Sequence, residues 1–140
     1  MTGAYLLLLQ LNKTQSIRIG KLGLLSFPAG CYVYAGSAMN GLEARVGHHL
    51  RSNKKYHWHI DYLLDQAHIY EVVIIPSKER LECILAEALS NHLKCIPRFG
   101  SSDCACKGHL FFAEDDQEVQ NKVLSVMSSL NLSIIRRQAA

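Results

Sequence analysis

The stretch GCYVYAGSAMNGLEARVGHHLR, residues 30–51, begins as a strand and ends as a helix. CYVYAG is rich in β-branched and aromatic residues, which suit a pleated, half-buried surface. A glycine-bearing turn follows. From about Leu42 to Leu50, Leu42, Val46 and Leu50 recur at four-residue spacing and mark one face of an amphipathic helix. Arg45 and His49 are also four apart and stack along the edge of that stripe, where a side chain is both held and wetted. The adjacent His48 points well away. For this pair alone, bordering the core is the simpler role.

Working outward, the apolar run Tyr5–Asn12 reads as a buried strand, and Ser16–Ile19 as a short extension. Glycines 20, 23 and 30 and Pro28 make the remainder up to Gly30 a long connector. Val72–Pro76 and LFFA, residues 110–113, are further strands. In HIDYLLDQA, residues 59–67, Ile60, Leu63, Leu64 and Ala67 share a helical face. A third helix carries Leu81, Ile84, Leu85, Ala88 and Leu89, with Ser77 as its N-cap. A fourth, opened by Asp115 and Asp116, carries Val119, Val123, Val126, Met127 and Leu130. The block IPRFGSSDCACKGHL, residues 96–110, is irregular. Such a mixture predicts an α/β or α+β sheet with helices packed on it.

Composition sets the bounds. The chain has 140 residues, 49% of them hydrophobic, which is enough for one domain with a real core. A formal charge of +3 and a pI near 8.6 permit a polyanionic partner without requiring one. Five cysteines is an odd count, unlike a disulfide-stapled fold, and predicts free thiols in a reducing cytoplasm. The opening AYLLLLQL is too short to span a membrane and lacks a basic segment before it, so no membrane association is expected.

Several side chains could carry chemistry. Of the two glutamates in ECILAEAL, Glu82 flanks the apolar stripe and is the better candidate for a divalent cation, whereas Glu87 points to solvent. In HWHID, His57, His59 and Asp61 could chelate from a strand. On a helix, which the following residues favour, His59 and Asp61 diverge. Cys104, Cys106 and His109, with Cys83 or Cys95 as a fourth, form an alternative metal set. The single residue between Cys104 and Cys106 counts against zinc, because structural sites more often place two there. Arg45, His48, His49, Arg51, Lys54 and Lys55, interleaved with Tyr56 and Trp58, suit phosphate contact and base stacking, or else a solvated surface.

Taken together, these pieces resemble the GIY-YIG nuclease superfamily. GAY at Gly3–Tyr5 occupies the place of the first signature and YAG at Tyr34–Gly36 that of the second. Arg45 and then His49 follow on the next helix, and Glu82 stands in ECILA. The blocks GCYVYAGSA, HWHIDYLL and FGSSDCACKGHLFF resemble an uncharacterised single-domain branch of that superfamily. There are departures: each signature has Ala at its centre, the loop between them is long, and Ser37 stands where several relatives carry Lys.

The resemblance implies a small antiparallel sheet of about three central strands flanked by helices. It implies a single nuclease domain over residues 1–140, with a module core of about 3–112 and a C-terminal helix of about 115–130. It also implies metal-dependent hydrolysis of phosphodiester bonds, in DNA rather than RNA, with one Mg²⁺ or Mn²⁺ on Glu82. Tyr34 would act as, or position, the general base, and Tyr5 would orient it or the water. Arg45 would stabilise phosphate charge, His49 would bond the phosphate or move a proton, and Gly36 would allow close backbone approach. Ser37, Arg51, Lys54, Lys55, Trp58 and His59 would form the nucleic-acid face. A protein partner or homodimer is compatible with so small a chain. The competing expectations are a nucleic-acid-binding module with little or no turnover on the same fold, and a zinc-stabilised interaction protein.

Overall fold

A computed structural model describes residues 1–101 and 104–139. In chain order the elements are β1 (Gly3–Leu11), β2 (Gln15–Arg18), a 3₁₀ turn (Gly20–Leu22), β3 (Leu24–Phe27), β4 (Gly30–Ala38), α1 (Leu42–Leu50) and α2 (His59–Leu63). Then come β5 (His68–Pro76), α3 (Glu82–Ser90), β6 (Lys94–Ile96), β7 (Leu110–Ala113), α4 (Asp116–Ser129) and β8 (Ile135–Gln138). Six strands form one antiparallel sheet in the order β6-β7-β4-β1-β5-β8, and β2 and β3 form a separate hairpin. The expected mixed α/β class with an antiparallel sheet is present. The sheet has six strands where about three central ones were expected, because β7 pairs with β4 and the segments Lys94–Ile96 and Ile135–Gln138 pair at its two edges.

Strand β1 is buried along its whole length except at Gln10. Its continuous apolar run is that of a strand covered on both faces. Tyr5, Leu7, Leu9 and Leu11 face one layer, built from α1, α2 and the β2–β3 hairpin. Ala4, Leu6 and Leu8 face the other, built from α3 and α4. Truncating any one of the fully buried leucines to Ala would cost about 2–5 kcal/mol. At Tyr70 a bulge shifts the β1–β5 register, so that Leu8 pairs with Glu71 and Leu9 with Ile69.

Four local readings need correction. The long connector holds a second strand, Leu24–Phe27, which pairs with β2. Helix α3 starts at Glu82, not after Ser77. The Ser77 hydroxyl instead accepts from the Glu79 amide at 2.9 Å and closes a local turn. Ile84, expected in the stripe, is exposed, and Ala86 is buried with Leu85 and Leu89. In α1, Leu50 is exposed and His49 takes the third buried position. Helix α2 stops at Leu63, although Ala67 still packs in the core. Helix α4 matches its expectation, with Asp115 Oδ1 accepting from the Glu118 amide at 2.9 Å. Among the described residues no helix is long and apolar enough to cross a membrane.

The tail is fastened by charge. Arg136 of β8 donates to both carboxylate oxygens of buried Glu71, at 2.5 and 2.9 Å, and Gln120 of α4 donates to Glu71 at 3.0 Å. Burial would raise the Glu71 carboxyl, but Arg136 and Gln120 outweigh it and hold the group below its ordinary value. The stabilisation is therefore complete above the ordinary carboxylate range and is lost as pH falls through the depressed folded value. Arg136 is partly exposed, so Glu71→Gln is expected to cost only about 1–3 kcal/mol at neutral pH. Urea melts of both chains should show that gap closing in acid; an equal gap at both pH values would contradict the assignment.

Candidate functional site

Strand β4 runs on past its partner β7: their register ends at Tyr34–Leu110, with one further bond from the Ala35 amide to the His109 carbonyl at 3.0 Å. The sheet narrows there, and a cleft of about 620 Å³ opens at its end. Tyr5 from β1, Tyr34 and Gly36 from β4, Arg45 from α1 and Glu82 from α3 all line it. Residues far apart in sequence are thus brought to one concave surface.

Gly36 makes room for this arrangement. It pairs with Tyr5 across β1 and β4, and a Cβ at Gly36 would lie 2.5 Å from the Tyr5 phenol. The Tyr5 ring therefore lies over the glycine. Its hydroxyl is 2.8 Å from His49 Nε2, and the two tyrosine rings are 6.5 Å apart. Gly100, at φ 73°, passes close to Tyr34, where a Cβ would come within 3.1 Å of the ring.

His49 sits one layer behind the cleft and reaches it only through Tyr5. The resemblance gave His49 two roles, bonding the phosphate or moving a proton; the ring is buried, and its Nε2 meets the Tyr5 hydroxyl. Its Nδ1 faces Asp61 Oδ1 at 3.7 Å, and His48 Nε2 lies 3.3 Å from the same oxygen. Asp61, fully buried at the start of α2, also accepts from the amides of His57 and Trp58, at 2.7 and 2.9 Å. Burial alone would raise this carboxyl. The contacts with His49, the two amides and His48 outweigh it and hold Asp61 well below the usual carboxylate range. His49 is pushed down by burial, against the upward pull of Asp61, so its neutral form prevails at neutral pH. The tautomer with its proton on Nδ1, facing the Asp61 charge at 3.7 Å, leaves Nε2 to accept from Tyr5.

Both phenols are hard to ionise. Burial pushes Tyr5 up to about 12, with the Arg45 charge pulling the other way, and pushes Tyr34 well above its ordinary value. They act in the cleft as protonated hydroxyls. Arg45 is fixed by a donation to the Ser37 carbonyl at 3.0 Å and by stacking over Trp58, 4.2 Å from the ring centroid.

Glu82 stands in the first turn of α3, with its side chain only 19% exposed. Its Oε1 lies 3.8 Å from the Arg80 guanidinium. Its Oε2 is buried and has no hydrogen-bond partner among the described residues. An orphan carboxylate oxygen at a cleft wall fits a hard divalent cation held by one carboxylate, with waters and phosphate completing the set.

The expected nucleic-acid face divides. Ser37 and Trp58 line the cleft; Arg51 and Lys55 are exposed and do not line it. Lys54 instead donates to the His49 carbonyl at 2.7 Å, at the C-terminal end of α1. His59 turns inward, its Nδ1 accepting from the Gly100 amide at 2.9 Å. As the helical reading of HWHID required, His59 and Asp61 diverge. The sequence groups Asp61 with His57 and His59, and His48 with the basic cluster; the meeting of Asp61 with His48 and His49 is not legible there, because it depends on how α1 and α2 pack.

Cys104, Cys106 and His109 do come together, with Cys83 as the fourth member. Burial and the neighbouring thiols of Cys106 and Cys104 push Cys83 up to about 12. Cys95 lies outside the group, and all five cysteines are free.

The fold and site define a mixed α/β domain with a polar cleft at the open end of an antiparallel sheet. The chain belongs to the family described as domain of unknown function DUF123, whose model matches residues 4–132. No curated protein and no solved structure matches it.

Asp61 is the carboxylate that raises His49, so Asp61→Asn is expected to lower the His49 pKa further. Titration followed by histidine NMR checks this; an unchanged His49 titration would mean that Asp61 does not act on it.

Proposed function

We propose that this protein is a divalent-metal-dependent endonuclease of the GIY-YIG type, acting on DNA in preference to RNA. The observation that carries the reading is the convergence of Tyr5, Tyr34, Arg45 and Glu82 in one cleft, with Gly36 clearing the space for Tyr5. Each residue has a task that phosphodiester hydrolysis requires, Trp58 in the cleft wall suits base stacking, and the exposed Arg51 and Lys55 would add backbone charge.

Arg45, held by Ser37 and Trp58, presents a fixed positive charge to the phosphate and stabilises the charge that builds up as water attacks. Tyr34 holds the water by hydrogen bonding. As phosphorus is attacked, the water proton passes to the Tyr5 oxygen while the Tyr5 proton passes to His49 Nε2. Asp61 stabilises the imidazolium that results. Glu82 holds the cation, Mg²⁺ or Mn²⁺, which when bound polarises the phosphate and supports the leaving oxygen.

Purified protein is incubated with supercoiled, branched and single-stranded DNA and with RNA, in Mg²⁺ or Mn²⁺. Cleavage is expected, with a loss of about 10²–10³-fold on Arg45→Ala and at least as much on Glu82→Ala. Tyr34→Phe should lose less. Binding without cleavage on every substrate would favour a non-hydrolytic nucleic-acid-binding module on the same fold. Cleavage that survives Glu82→Ala would overturn the metal assignment.

A further inference from the structure

A second group of ligand-type side chains lies beside the cleft. Cys83 comes from the first turn of α3, Cys104 and Cys106 from the loop after Gly100, and His109 from the residue before β7. One donor atom from each lies within 4.8 Å of all the others. We propose that Cys83, Cys104, Cys106 and His109 form a closed, structural zinc site.

The geometry suits that ion. A tetrahedral zinc with sulfur ligands at about 2.3 Å separates them by roughly 3.8 Å, within the observed spread. Cys104 Sγ and His109 Nε2 are already 3.3 Å apart. His109 is buried, and its other nitrogen, Nδ1, faces the Ala35 carbonyl at 3.3 Å. A proton on Nδ1 donated to that carbonyl leaves the Nε2 lone pair aimed at the sulfurs, the arrangement by which outer hydrogen bonds orient ligating histidines.

The donor set also selects the metal. Three thiolates and one imidazole favour a soft or borderline ion over Mg²⁺ or Ca²⁺. Four protein ligands fill a tetrahedron and leave no position for water, which marks a structural role instead of a catalytic one. A disulfide would use two of the three clustered thiols and leave the third unpaired.

The loop supplies a reason for such a site. Between Pro97 and His109 the described residues form no helix or strand. The ends of the loop are anchored: Phe99 is buried in the core, the Gly100 amide donates to His59, and the His109 carbonyl accepts from the Ala35 amide. An ion bound by Cys104, Cys106 and His109 pins this loop to the start of α3 through Cys83. Cys83 is the neighbour of Glu82, and Cys83, Cys104 and His109 share the cleft wall with it. The zinc therefore holds the wall that positions Glu82. The short Cys104–Cys106 spacing is accommodated because the fourth ligand comes from a helix and not from a second cysteine pair.

The test uses the full chain, purified with reductant and without added metal, and needs no nuclease assay. Elemental analysis is expected to find about one zinc per chain. Exchange for Co²⁺ should give thiolate-to-cobalt charge-transfer absorption and the d–d bands of a tetrahedral site. Cys83→Ser and His109→Ala should lose or alter those bands, while Cys95→Ser keeps them. If the variants fail to fold, release of zinc from the wild-type chain by a thiol-blocking reagent, with a fall in Tm, carries the same information. A metal-free wild-type chain that gives no cobalt–thiolate bands under reducing conditions would overturn the proposal. So would bands unchanged in Cys83→Ser, or a native mass lighter by two hydrogens from a disulfide within the group.

Discussion

Strand β1 is hydrogen-bonded on both edges and buried on both faces, and its register against β4 sets Tyr5 opposite Gly36. Slipping that register by one residue would turn Tyr5, Leu7 and Leu9 into the other layer and expose the wrong face of every neighbour. Because both layers are filled, the position is strongly specified. The cleft inherits that rigidity: the Tyr5 phenol lies over a glycine, against His49, within a sheet that cannot shift without emptying two cores. The start of the same strand also holds its neighbours. The Met1 carbonyl accepts from the Leu42 amide at the start of α1, and the Thr2 carbonyl from the Ser77 amide just after β5.

Asp61 is the second constraint. A fully buried carboxylate is expensive unless its lone pairs are used. Here Oδ2 accepts from two backbone amides, while Oδ1 makes no hydrogen bond among the described residues and faces His48 at 3.3 Å and His49 at 3.7 Å, across the gap from the end of α1 to the start of α2. Beyond holding the helices, the charge is linked to the cleft through two residues, His49 and then Tyr5. A buried group that secures packing and also sets the character of a neighbouring histidine can contribute to fold and chemistry together.

The sequence was most legible where a periodic pattern met a cap or a turn. β1, β4, α1 and α4 follow directly from apolar runs, four-residue spacing and the Asp115 cap. It was least legible for the short edge strands. Lys94–Ile96 and Ile135–Gln138 are only partly buried or exposed, carry no alternation, and exist because a sheet edge is there to pair with. Ser77 misled because a serine hydroxyl serves a local turn as readily as a helix start. At the site, Arg45 and Glu82 could be placed from helical geometry alone. The burial of His49 in place of Leu50, the turning of His59 onto Gly100 and the meeting of Asp61 with His48 depend on inter-helix packing, which no single segment encodes. The cysteine group shows the same limit: its fourth member lies on a different element from the other three.

The central claim is that Glu82 holds a divalent cation in the Tyr5–Tyr34–Arg45 cleft. It is tested most directly by Mn²⁺ titration of the protein with a short DNA duplex, followed by electron paramagnetic resonance and by NMR line-broadening. The account predicts a saturable site that broadens the Tyr5 and Tyr34 resonances selectively and is lost in Glu82→Gln. Mn²⁺ binding that is unaffected by Glu82→Gln, or broadening confined to residues away from the cleft, would contradict it.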